Sequence, residues 1–150
     1  MPELLEEILA AKDKKKLFVG VGNVLKCDDG TGVYISNRIV PRNDISVLTV
    51  ETGIGNYIGK INSIGPDILV LLDAVDMGAR PGTIKTLPIT GLQDMTFNTH
   101  NISLARFADF FKMEIFITGI QPEKIEFGEK ISYIVRQEAD RLIGIINKTK

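Results

Sequence analysis

Apolar residues return along this chain in two rhythms. Leu4, Leu5, Ile8 and Leu9 recur at helical spacing with Glu3, Glu6 and Glu7 between them, which predicts a short amphipathic helix over residues 2–13, an N-terminal extension lying on the domain. Leu17-Phe18-Val19-Gly20-Val21-Gly22 is an apolar run of strand length that breaks into a polar, glycine-rich loop as far as Gly32. A helix is predicted from Val33 to Val40, closed by Pro41, and a strand from Ile45 to Val50. Residues 54–62 suit a further helix, weakened by Gly55 and Gly59. Ile68-Leu69-Val70-Leu71-Leu72 is apolar at every position, the mark of a strand covered on both faces, and it delivers Asp73 at its C-terminal end. Arg80-Pro81-Gly82-Thr83 makes a turn into a short strand, Thr83 to Leu87, of edge or antiparallel character. Residues 88–100 read as a loop, Asn101 as the cap of a helix reaching Phe111, Ile115 to Ile120 as another buried strand, and Ile131 to Ile146 as the C-terminal helix.

The alternation predicts an α/β fold: residues 1–150 form a single three-layer α/β/α domain, with a twisted, mostly parallel sheet of about five strands and helices on both faces. A chain of this length buries roughly 70% of its unfolded surface, so neither disulfide nor structural metal is needed to hold it. Eighteen Lys and Arg against nineteen Asp and Glu leave a net charge of −1, with no basic excess to attract nucleic acid. The cluster Lys12, Lys14, Lys15 and Lys16 follows the first helix, where cations offset the negative helix pole. The single cysteine, Cys27, excludes an internal disulfide and fits a reducing compartment, so the expected location is cytoplasmic. No apolar run approaches the ~20 residues of a membrane span, and the acidic start is unlike a signal peptide. No exposed heptad is legible, and a monomer is expected.

In doubly wound sheets, sites lie beyond the carboxyl ends of the strands. The first strand is followed by Gly22, Asn23, Asp28, Asp29, Gly30 and Gly32. A dinucleotide fingerprint is a poor fit, because Leu25 stands where the third glycine belongs and two acids would repel a pyrophosphate. One of these acids caps the following helix, Asp28 being the better candidate, and the other is left free. Asp73 abuts five apolar residues and is costly there without a cationic or hydrogen-bonding partner. Asp76 supports the turn through Gly78 and Gly82. His100 is the only histidine, and alone on a loop it would be a solvated bystander. If the first and third strands are neighbours, however, Asp29 and Asp73 emerge side by side and the loop carrying His100 reaches over the same crevice. Two carboxylates and one imidazole with open positions suit a divalent transition metal, nickel and zinc alike. Other readings of these residues are an Asp29–Asp73 dyad sharing a proton, a Cys27 nucleophile, which lacks electropositive surroundings beside two acids, and a small-molecule-binding domain without a metal.

At these residues the chain resembles the hydrogenase maturation endopeptidases, nickel-dependent proteases that remove a C-terminal extension from the large subunit of [NiFe] hydrogenases. The resemblance runs over about residues 17–146. It rests on Gly20 to Leu25 continuing through Asp28-Asp29-Gly30-Thr31-Gly32, on Leu72-Asp73-Ala74-Val75-Asp76-Met77-Gly78 with Pro81-Gly82, on Thr99-His100-Asn101, and on Thr118-Gly119-Ile120-Gln121-Pro122. The Asp-Met-Gly and Thr-His-Asn versions most resemble the hydrogenase 3-type branch. The resemblance implies that Asp29, Asp73 and His100 contact nickel, Asp29 standing where some members carry glutamate. It implies that the nickel is supplied by the precursor of the large subunit, with zinc, cadmium or calcium as substitutes at the same site. Gly22, Asn23, Asp28 and Asp76 are expected to shape the loops that hold the trio, with the substrate tail lying across the crevice. The alternative of a different class is a non-catalytic nickel-sensing maturation chaperone, which binds metal but cuts nothing.

Overall fold

A computed structural model describes residues 3–90, 99, 101–103, 106 and 109–148. The elements run α1 (Glu3–Ala10), β1 (Lys16–Val21), α2 (Thr31–Ser36), β2 (Ile45–Glu51), α3 (Ile58–Ile64), β3 (Ile68–Ala74), β4 (Ile84–Pro88), β5 (Glu114–Ile120) and α4 (Tyr133–Lys148), with 3-10 turns at Cys27–Gly30 and Ile54–Tyr57. The strands form one sheet in the order β2-β1-β3-β5-β4. All neighbours pair parallel except β4, which lies antiparallel along β5 at the edge, as its short, mixed sequence predicted.

Alternate residues of each strand feed opposite layers. Leu17, Val19, Leu69, Leu71, Ile115 and Ile117 point to one face, where Ile54, Ile61, Ile102 and Phe111 cover them. Phe18, Val70, Leu72 and Phe116 point to the other, beneath Ile35 of α2 and Val135, Ala139, Leu142 and Ile146 of α4. Leu5, Ile8 and Leu9 of α1 are buried in this second layer. The helix that was expected to lie on the domain as an extension thus contributes three core side chains. The apolar run Ile68 to Leu72 suits the central place of β3, where every one of its seven residues is buried.

Three local expectations shift. The helix expected over 33–40 begins at Thr31, because a 3-10 turn runs directly into it, and it ends at Ser36. Gly32 permits this start, since a Cβ there would sit 2.1 Å from the Leu72 carbonyl oxygen. The segment expected as one helix over 54–62 divides into a 3-10 turn and α3, which stops at Gly65 in the left-handed conformation. Among the lysines, it is Lys16 that meets the end of α1: its buried ammonium donates to the Ala11 carbonyl at 2.7 Å and pairs with Asp44 at 2.6 Å. The helix read from Asn101 to Phe111 and the loop read over 88–100 fall largely outside the described residues.

Candidate active site at the switch point

The chain leaves β1 toward β2 on one side, and β3 lies on the other, so the sheet order reverses between β1 and β3. Connections diverge there, and a crevice opens beyond the strand ends. The loop after β1 carries Asp29 into it, and the last turn of β3 carries Asp73. Both are buried, at 1% and 0% exposure.

The two carboxylates meet through one residue. The side-chain amide of Asn101 donates to Asp29 Oδ1 and to Asp73 Oδ1, each at 2.9 Å. Thr99 donates its hydroxyl to Asp73 Oδ2, and its oxygen accepts the Asn101 N–H at 3.2 Å. Asp73 Oδ1 also accepts the N–H of Ala74 at 2.9 Å, and Asp29 Oδ2 that of Asn23 at 3.2 Å. An amide nitrogen carries two hydrogens, one for each Oδ1. No salt bridge reaches either acid among the described residues. Burial therefore acts on Asp73 with hydrogen bonds alone to offset it among the described residues. Its carboxyl is pushed up to about 8, first by loss of water, against the lowering hydrogen bonds of Thr99 and Asn101, with the neighbouring Asp29 charge raising it further.

Asp28 does not cap a helix. The residue before α2 is Gly30, and no side chain caps that end. Asp28 lies inside the 3-10 turn, fully buried, and its carboxylate accepts the N–H groups of Glu123 and Lys124 at 2.8 Å, the Ser132 N–H at 2.6 Å and the Ser132 hydroxyl at 2.8 Å. The loop is pinned a second time by Cys27 N–H on the Gly128 carbonyl and Gly128 N–H on that of Leu25, which keeps Cys27 buried and away from a nucleophile's role. Gly22 has φ +148°, and a Cβ on it would lie 2.1 Å from the Asp29 carbonyl oxygen, so the chain can fold back on itself only with glycine there. Asn23 holds Asp29 by its main chain, while its side-chain oxygen accepts the Leu25 N–H at 2.9 Å to shape the turn.

Asp76 accepts the Gly78 N–H at 3.1 Å, as expected of a turn aspartate. It also accepts from the Gln121 amide, whose Nε2 donates at 3.2 Å and whose Oε1 accepts the N–H groups of Met77 and Ala79 at 2.6 and 3.3 Å. The sequence marks Gln121 only within the Thr118 to Pro122 motif and Asn101 only as a helix cap, and neither as an organiser of the site. The signal for Asn101 and Thr99 was their place beside the only histidine. His100 itself lies outside the described residues; its two chain neighbours both touch the carboxylates. Among the described residues no group of three His, Cys, Asp or Glu gathers, and the part of the expected trio they contain is the pair Asp29 and Asp73.

Fold and site together define an α/β domain with two buried carboxylates at its switch point. Comparison with known proteins gives that class its family. A family model described as hydrogenase maturation protease matches residues 33–149. The hydrogenase 3 maturation protease of Escherichia coli K12 is 31% identical over 113 residues, which cover 71% of this chain and 72% of that protein. The crystal structure of a [NiFe] hydrogenase maturation protease from Thermococcus kodakarensis KOD1 superposes with a TM-score of 0.83 at 25% identity, over 97% of both chains. The solution structure of an endopeptidase from Escherichia coli shares the fold, with a TM-score of 0.71 at 22% identity over 89% of each chain. The chain belongs to the hydrogenase maturation protease family and is a peptidase, a hydrolase. That membership sets aside both the non-catalytic chaperone and the small-molecule-binding domain. Among the described residues no helix is long and apolar enough to cross a membrane.

Proposed function

We propose that this protein is the endopeptidase that removes the C-terminal extension from the nickel-loaded precursor of a [NiFe] hydrogenase large subunit, of the hydrogenase 3 type, working as a cytoplasmic monomer. Asp29, Asp73 and His100 contact the precursor's nickel. The observation that carries this reading is the Asn101 amide, which donates at 2.9 Å to one oxygen of each buried carboxylate and so brings the two acids together beside the histidine's place in the chain.

The donor set fits the substrate metal: carboxylate oxygens accept a divalent ion readily, and a neutral imidazole suits nickel. A divalent ion in contact with the scissile carbonyl polarises it and lowers the pKa of a bound water. The remaining work belongs to the chain. Thr99 and Asn101 hold the two carboxylates apart and aimed into the crevice. Asp73 gives up its proton as a cation approaches, since the cation relieves the burial and like charge that held the proton there. Asp28 and Gln121 fix the two loops from behind, so that the donors arrive in place.

The test is to incubate the purified protein with nickel-loaded and nickel-free precursor and to follow the precursor's mass, beside Asp73→Asn and His100→Ala variants. Loss of a C-terminal peptide is expected only from the loaded precursor and only with the unmodified enzyme. Equal cleavage of the nickel-free precursor would overturn the nickel contact, and equal cleavage by His100→Ala would remove that residue from the site.

A further inference from the structure

Asn101 has a second neighbourhood. Besides bridging the carboxylates, it lines an open recess of about 270 Å³ on the side of the sheet that α3 covers. Ile54, Ile58 and Phe110 give it apolar surface, Thr52 and Ser103 add hydroxyl groups, and Arg106 is the one charged residue among the described lining. Phe110 is half exposed, at 52%, although its backbone is fixed: Asn62 of α3 donates to the Phe110 carbonyl at 2.9 Å and accepts the Lys112 N–H at 3.1 Å. An aromatic wall held in place with its ring uncovered is preorganised for a ligand rather than for the core.

We propose that this recess is a specificity pocket for the peptide being cut, taking an apolar side chain next to the scissile bond while Arg106 pairs with a carboxylate of the same segment. The inference rests on the peptidase reading above and adds to it the direction in which the substrate runs. Its occupant follows from continuity and charge. A peptide bond presented to Asp29 and Asp73 places the neighbouring residue against Asn101, and Asn101 opens directly into the recess. Ile54, Ile58 and Phe110 offer apolar surface and Arg106 is the one charge among the described lining, so a segment carrying an apolar residue and then an acidic group matches the recess. A short pocket beside the cut also lets the enzyme reject sequences that lack the side chain, by the roughly 10- to 100-fold that filling an apolar site supplies.

Gly55 makes the test clean. A Cβ at this position meets nothing within 4 Å, and its φ is not in the left-handed range, so Gly55→Phe fills the recess without disturbing the fold. The variant and Arg106→Glu are compared with the unmodified enzyme on the nickel-loaded precursor. A synthetic peptide spanning the released fragment and its junction, its sequence read from the fragment's mass, is titrated by fluorescence anisotropy. The expected result for Gly55→Phe is a rise in KM and a fall in peptide affinity of at least about 10-fold, with kcat and the melting temperature held. Arg106→Glu weakens both several-fold at low salt and less at high salt. Cleavage and peptide binding by Gly55→Phe that match the unmodified enzyme would overturn the pocket while leaving the peptidase intact. Absence of cleavage by the unmodified enzyme would overturn the proposed function, and the pocket with it.

Discussion

Asp73 makes the folding stability of this protein depend on pH in an unusual direction. The folded state holds its proton up to a pKa of about 8, while an unfolded aspartate releases it near 3.8. Between those values the native chain binds a proton that the unfolded chain does not, so each rise in pH favours unfolding by up to about 1.4 kcal/mol per unit. Across the window from about pH 4 to pH 8 the contribution sums to a loss on the order of 5 kcal/mol, a large part of the 5–15 kcal/mol typical of a domain. Asp73→Asn removes the titration while keeping the shape: the amide oxygen still accepts from Ala74 and Asn101, and the amide nitrogen faces the Thr99 hydroxyl. The assay is urea unfolding of the metal-free wild type and variant at pH 5, 6.5 and 8. Taking the difference between them cancels every other titrating group. The variant is expected to be the more stable protein at pH 8 by several kcal/mol and to lose that advantage toward pH 5. Zinc or nickel added at pH 8 should stabilise the wild type much more than the variant. A difference flat in pH would refute the reasoning, because it would mean that burial does not hold a proton on Asp73.

Two structural residues of the loop give sharper tests of position than of chemistry. Asp28→Ala strips four donors of their charged acceptor and should cost about 3 kcal/mol or more, which for a chain of this size lowers the melting temperature by roughly 10 °C; a fall under 2 °C in thermal denaturation would show that the loops do not depend on it. Gly22→Val forces a Cβ toward the Asp29 carbonyl and should weaken zinc binding at least tenfold in isothermal titration, and unchanged affinity would refute the packing argument.

Much of the frame was legible along the chain because it is written in local terms. Strand residues show themselves by continuous apolar runs, and β3 announced its central position by carrying no polar residue before Asp73. The boundaries that moved did so for equally local reasons, such as the 3-10 turn that carried α2 back to Thr31. Asp29 and Asp73 could be singled out because an acid directly after a strand end lies in the crevice of any doubly wound sheet. Asp28, expected as a cap, is instead a staple between its loop and residues 123–132, and Asp29 faces Asn101.

By itself, then, the sequence determined the order of elements, a sheet covered on both faces and the two acids that would reach the crevice. The folded structure decided what those acids touch. Asn101 lies 72 residues from Asp29, and the donors that satisfy Asp28 lie 95 to 104 residues away from it. Periodicity and capping rules describe groups a few positions apart, where the backbone alone sets the geometry. A buried carboxylate is satisfied by whichever donors the packed sheet and helices bring beside it, and only the closing of the core brings residues so distant in the chain within 3 Å of one another.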